Sequence, residues 1–415
     1  MQHTCRNPWC KQPFEITSDD LAFYEEMAPT FAGKKFDIPT PIHCPECRDR
    51  LRYTFRNERH LYHRACDLCG KEMISIYAPE KPLKAYCPTC FFSDRWDAAS
   101  FGRTVDLQRP FFEQFAELKR EVPRLAIDVL NNENSDYSNI SIENKNCYLV
   151  FATVRSERCM HCRKVIQSRD SLDSSYCERI ELCYECIDCA NCYQLLFSEL
   201  CTDCAFSSFL YDCIGVQHCF LCSNLRNKQY CYMNQQLTKE QYETKLKALM
   251  ESTPFPDLRK KFQELKISAI HRADQNIQTE NCSGNYLRNC KNCFGCFDIH
   301  HSEDCTYCNE AVTGLKSSMD CSFITMECER VFESCSCSNA TIASCFSFGC
   351  RDGNHRLLYC DSVYSCHDLF GCVGLRHKER SILNKQYSRE EYEKLASQII
   401  EHMRHTGEWG LFFPA

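Results

Sequence analysis

The residues in this chain with the clearest chemical potential are eight cysteines in four short loops. Cys5 and Cys10 enclose four residues, Cys44 and Cys47 enclose Pro45-Glu46, Cys66 and Cys69 enclose Asp67-Leu68, and Cys87 and Cys90 enclose Pro88-Thr89. A loop of this size offers two thiolates to one ion and turns backbone N–H groups toward their sulfurs, and two loops complete the tetrahedral shell that zinc prefers. The spacing predicts two structural zinc ions. One is held by Cys5, Cys10, Cys44 and Cys47; the other is held by Cys66, Cys69, Cys87 and Cys90, whose loops lie 17 residues apart as in a zinc ribbon or treble clef. A closed four-thiolate shell has no open position for a substrate, so its chemistry is folding.

Joining the two sets is a basic, aromatic run: Arg48, Arg50, Arg52, Tyr53, Phe55, Arg56, Arg59, His60, Tyr62, His63, Arg64. Guanidinium groups meet phosphate and rings stack on bases, so Arg48, Arg50, Arg52, Arg56, Arg59 and Arg64 are candidate nucleic-acid contacts. The competing reading pairs these arginines with Glu46, Asp49, Glu58 and Asp67 along a helix or hairpin.

The other chemical pattern is a cysteine lattice. Between Cys177 and Cys231 stand eleven cysteines, all at positions divisible by three, and Cys183, Cys201 and Cys219 are 18 apart, as are Cys186, Cys204 and Cys222. An inward residue at every third position matches neither the helix period nor the strand period. It predicts a three-sided parallel β-helix, left-handed, with 18-residue coils. Three uses of its cysteines compete: small buried side chains interchangeable with serine, threonine and valine; thiolates around a metal or cluster, with Cys183, Cys186, Cys201 and Cys204 as a local set; and disulfides between coils.

These residues need positioning elements, and the chain reads as a mainly β protein in seven segments. A first zinc module covers 1–65, a zinc ribbon 66–95, a helical connector 96–135, a first β-helix 136–236, a helical cap 237–275, a second β-helix 276–384 and a C-terminal helical cap 385–415. The later half repeats the earlier: aligning Cys222 with Cys372 pairs Leu225 with Leu375, Arg226 with Arg376, Asn234 with Asn384 and Tyr242 with Tyr392. Thr238 with Gln241, and Ser388 with Glu391, form capping boxes at the head of the cap helices. In the connector, Phe111, Phe112, Phe115 and Leu118 share a helix face that plugs the open end of the first β-helix or docks the zinc modules on it. The second β-helix slips register near Ser322 and again near Leu357, as insertions of one or two residues at corners would cause.

The chain carries 37 cysteines in 415 residues and a net charge of -7. It has no apolar run of about 20 residues, and no apolar core follows Met1-Gln2-His3-Thr4-Cys5 as a secretory signal requires. The expectation is a cytoplasmic protein without a membrane partner, its cysteines reduced or metal-bound.

The two four-cysteine sets, Phe55-Arg56-Asn57-Glu58-Arg59, Cys66-Asp67-Leu68-Cys69-Gly70-Lys71, Arg109-Pro110-Phe111-Phe112-Glu113-Gln114-Phe115 and the repeated caps together resemble uncharacterised zinc-ribbon, cysteine-rich repeat proteins of candidate-phyla (Patescibacteria-type) bacteria. Some of these are labelled CaiB/BaiF, a CoA-transferase chemistry for which no residue pattern here provides. The resemblance spans essentially the whole chain and implies a sequence that continues past Gly407-Glu408-Trp409-Gly410.

The function read from these features is a zinc-binding, non-enzymatic adaptor that holds a nucleic acid or protein through its N-terminal modules, nucleic acid being favoured. No small-molecule substrate is indicated. The alternatives are an acyltransferase-like enzyme on the β-helix, with His218, His367 or the pair His300-His301 as its base, and a metal or redox protein using the solenoid thiols.

Overall fold

From Val129 to Gln236 the strands pair in the order in which the chain lays them down, giving an 11-stranded sheet. The computed structural model describes residues 1–312 and 314–413. Neighbouring strands are parallel, and the register advances by twelve residues: Ser138 faces Val150, Phe151 faces Arg163, Arg163 faces Ser175 and Leu196 faces Ser208. Only the closing pair, Cys231 with Gln236, is antiparallel.

This register corrects the expected 18-residue coil with three faces. A backbone φ near +50° recurs at every third residue, as at Tyr176, Arg179, Leu182, Glu185, Asp188 and Asn191. The chain therefore bends just before each inward side chain, and four three-residue steps return it beside itself. Twelve and eighteen are both multiples of three, so inward spacing alone does not separate them. Cysteines 18 apart are one and a half repeats apart and lie on opposite walls. Each left-handed non-glycine residue costs about 1 kcal/mol or more. Asparagine and aspartate tolerate that conformation best, and they occupy Asp170, Asp173, Asp188, Asn191, Asp203, Asp212, Asn224 and Asn227.

A second, 12-stranded sheet runs from Ile277 to Gln386. Its first pair is offset by eleven residues, Ile277 facing Arg288, and the next takes the twelve-residue register, Gly284 facing Cys296. The offset then widens by one residue where Lys316 faces Glu329, Glu329 faces Ile342 and Ile342 faces His355, and narrows again where His355 faces His367. These are the phase slips legible in the sequence.

The helices are α1 (Ser18–Met27), α2 (Pro45–Tyr53), α3 (Pro88–Phe91), α4 (Phe111–Glu121), α5 (Lys239–Ser252), α6 (Phe255–Ser268) and α7 (Arg389–Thr406). Both capping boxes form as the sequence suggests. The chain divides into two units, one built from residues 1–57, 81–124 and 273–415, the other from 58–80 and 125–272. In the latter, α5 and α6 lay Tyr242, Leu249, Leu258 and Phe262 against Phe209 and Phe220 of the first sheet.

In the former unit the N-terminal module packs on the second sheet. The α4 stripe does the same: Phe111 lies 5.2 Å from Phe370, Phe112 5.4 Å from Tyr359 and Phe115 5.3 Å from Phe413 between ring centres. The sequence leaves this stripe either to plug the open end of the first sheet or to dock the zinc modules on it; it packs instead on Phe370 of the second sheet, on Tyr359 beside it and on Phe413 of the C-terminal segment. Beside it, Arg124 and Lys119 converge on buried Asp361, with Lys119 Nζ 3.0 Å away. Burial alone would raise the Asp361 carboxyl, but the two cations outweigh it and hold the group well below the usual carboxylate range. A depressed folded-state pKa contributes stability above the unfolded value that is lost as pH falls, so melting temperature should drop below about pH 4. Asp361→Asn should lower it at neutral pH and flatten that acid limb; an unchanged acid limb in the variant would remove Asp361 from the account.

Candidate metal centre

The first tetrad is assembled by a hairpin and a helix start. Gln2–Thr4 and Pro13–Glu15 pair antiparallel, and the Cys5 N–H donates to Gln12 O at 2.9 Å, which closes the loop holding Cys5 and Cys10. Cys44 is the N-cap of α2, Pro45 fills the first helical position without forfeiting a bond, and Cys47 sits in the first turn. A helix N-terminus favours negative charge, which suits two thiolates.

All four Sγ atoms of Cys5, Cys10, Cys44 and Cys47 lie within 4.8 Å of one another. Sulfurs about 2.3 Å from a tetrahedral zinc stand about 3.8 Å apart, and Cys10 Sγ to Cys44 Sγ is 3.7 Å. Asn7 Nδ2 donates to Cys47 Sγ at 3.4 Å, a second layer of support for a thiolate. Burial raises the Cys44 and Cys47 thiols. It also acts on Cys5, where hydrogen bonding from Cys44, Asn7 and His43 prevails and brings the thiol down to about 6. Protons crowded among four sulfurs are what a divalent ion displaces.

Of the second expected set, Cys66 and Cys69 belong to one unit and Cys87 and Cys90 to the other. Tyr62–Ala65 and Glu72–Ser75 form the hairpin that presents Cys66 and Cys69, with Gly70 at φ +74° completing the turn. Cys87 N-caps α3 before Pro88, repeating the Cys-Pro-x-Cys helix start of α2. Arg95 Nη2 donates to Cys90 Sγ at 2.6 Å.

The column cysteines are arranged differently. Among the described column residues no set of three or more potential ligands lies within 4.8 Å of one another. The expected group Cys183, Cys186, Cys201 and Cys204 is not local, because the twelve-residue register stacks Cys186 between Ser174 and Ser198. In the first sheet the inward thiols instead donate to backbone carbonyls: Cys186 Sγ to Leu195 O at 3.3 Å, Cys204 Sγ to Thr202 O at 3.2 Å and Cys213 O at 3.4 Å. Serines at equivalent places use the same acceptors, Ser156 Oγ reaching Val154 O at 3.2 Å and Val165 O at 3.3 Å. That shared bond explains why the two residue types interchange in the columns.

The basic run separates into buried and exposed members. Arg48 and Arg52 are closed inside the module, where Arg48 Nη2 meets Asp320 at 2.8 Å and Arg52 Nε donates to Ser322 Oγ at 2.9 Å. Neither reaches solvent, which corrects their place among the phosphate contacts. Arg56 stacks 3.7 Å over the Phe323 ring, and Arg64 pairs with Asp67 at 2.9 Å. Arg50 and Arg59 are exposed.

The candidate histidines face rings and carboxylates. His218 is stacked between Phe206 and Tyr230, His367 lies 3.1 Å from Glu379, and His300 is 3.8 Å from Asp298. One residue the sequence reading passed over is Trp9, in the loop between Cys5 and Cys10, whose side chain is 93% exposed. A tryptophan between two metal ligands was the signal available.

No protein-family model matches this sequence, and comparison with curated proteins gives no match. Among solved structures, one match is a "putative acetyltransferase" from Desulfovibrio desulfuricans G20, 9% identical, with a TM-score of 0.12. It covers 59% of this chain, which spans 65% of that protein. A TM-score this low carries nothing about activity. Among the described residues no helix is long and apolar enough to cross a membrane.

Proposed function

We propose that this chain is a non-enzymatic adaptor. A zinc-stabilised N-terminal module engages a macromolecule, and two solenoids, one in each unit and each closed by a helix, serve as its scaffold. The observation that carries this reading is the closed shell of four thiols around the first tetrad, with the 3.7 Å sulfur separation that a tetrahedral ion requires. Such a shell contributes folding free energy and has no position for a reacting group. One hollow of about 320 Å³ is lined by Asp37, Pro39, Met403, Arg404, Gly407 and Trp409, and another of about 380 Å³ by residues that include Ser252, Asp257, Lys260, Lys261 and Glu264. Neither hollow is lined by a cysteine or a histidine.

A photo-cross-linking residue placed at exposed Gln12, beside the tetrad, tests the reading against a control at exposed Glu243 on α5. In cells expressing the chain, Gln12 should give a discrete macromolecular adduct that the control lacks. Equal adducts at both sites, or none at Gln12, would overturn the adaptor assignment.

A further inference from the structure

The loop between the first two ligands displays an indole to solvent. Trp9 is 93% exposed, whereas Trp409 is 6% exposed and Trp96 packs against Phe91 and Tyr86. Among the described residues no other large apolar side chain is as exposed, and an indole held in that way is available to stack on a planar ligand. The frame that displays it is fixed. The Trp9 N–H donates to Asn7 Oδ1 at 3.1 Å, the Cys10 N–H to Asn7 O at 3.1 Å and the Arg6 N–H to Ile42 O at 3.0 Å, while Asn7 is tied to Cys47 Sγ.

Charge along the loop itself has one sign. Arg6 and Lys11 are exposed, neither forms an ion pair among the described residues, and positions 5–13 contain no carboxylate. On α2, exposed Glu46 and Arg50 offset each other one turn apart. We propose that this tip binds single-stranded nucleic acid, one unstacked base lying on the Trp9 indole and Arg6 and Lys11 meeting the flanking phosphates. The proposal rests on the adaptor reading and names the partner of the same module. Base faces are open to an indole only where the strand is single. A protein partner would call for a wider apolar patch around the anchor, and along the loop the residues beside Trp9 are Arg6, Asn7, Pro8, Lys11 and Gln12, with exposed Ile42 the apolar side chain on the segment bonded to Arg6.

The test is fluorescence anisotropy of a labelled oligouridylate with the metal-loaded full chain, across a range of salt. The wild type should bind with affinity that falls as salt rises. Trp9→Ala should weaken binding by about tenfold or more at every salt concentration with the slope unchanged, Trp9→Phe should recover much of that loss, and Arg6→Ala with Lys11→Ala should make the salt slope shallower. Equal metal content in every variant verifies the fold. Binding by Trp9→Ala at wild-type strength, stronger binding of a duplex, or no binding by the wild type would each overturn the proposal. Cross-linking from Gln12 separates the two levels: adducts digested only by protease sink the nucleic-acid partner and keep the adaptor, whereas no adduct sinks both.

Discussion

Replacing Cys44 by serine is expected to remove one of two metal equivalents per chain and to unfold the module that held it. A structural zinc site contributes about 10 kcal/mol or more to the fold around it. The apolar side chains near this one, Phe14, Ile16, Tyr24 and Phe36, are continuous with the core of the second sheet. The loss should spread, because Cys44 caps α2 and Cys47 lies in its first turn, and the same helix carries Arg48 and Arg52 to the second sheet. Elemental analysis should fall from two zinc to one, and hydrogen-exchange protection should disappear across α2. The contrasting variant is Cys186→Ser. Serines already stand at the neighbouring levels, and Ser198 Oγ donates to Leu196 O at 2.9 Å as the thiol donates to its own carbonyls. It should keep both metals and lose about 1 kcal/mol. Two zinc atoms and an intact α2 in Cys44→Ser, or a lost metal in Cys186→Ser, would overturn the division between ligand and packing cysteines.

That division was legible because ligand sets announce themselves locally. Cys44-Pro45-Glu46-Cys47 and Cys87-Pro88-Thr89-Cys90 carry their helix starts with them, and the sulfurs of Cys5, Cys10, Cys44 and Cys47 come together as their spacing suggests. The three-residue period was legible too, since it is fixed by which side chains face inward. The number of steps per repeat was not. It depends on a left-handed bend at residues such as Leu182 and Glu185, whose side chains give no hint of positive φ. Long-range charge pairing was hidden for another reason. Arg48 and Arg52 look like surface cations until Asp320, some 270 residues later, is brought to them. No local pattern separates those two from Arg50, which stays in solvent.

The same buried cluster gives the second large effect. Asp320→Ala is expected to destabilise the chain by about 3–5 kcal/mol, the cost of leaving buried charge without its partner. Asp320 and Arg52 are fully buried and Arg48 is 4% exposed. Asp320 Oδ2 takes the Arg48 Nε bond at 2.9 Å, while Oδ1 stands 3.6 Å from Arg52 Nη1, so one carboxylate serves two guanidinium groups. Glu333 is buried nearby, and its carboxyl is pushed up to about 7, first by burial and then by the Asp320 charge, against the pull of Arg48 and Arg52. A raised carboxyl binds its proton more tightly folded than unfolded, so it lowers stability as pH rises from the unfolded value toward 7. Removing Asp320 takes away the repulsion and lets Glu333 ionise beside the arginines as a substitute counter-ion. The deficit of Asp320→Ala should therefore be larger near pH 5 than near pH 8, and Glu333→Gln in the same chain should restore the full deficit at the higher pH. Urea unfolding of the two single variants and the double variant at both pH values reads this directly. A deficit below about 1 kcal/mol at both would mean that Asp320 does not hold the arginines, and the docking of α2 would then rest on its apolar contacts, such as Tyr53 with its ring centre 4.7 Å from that of Phe323.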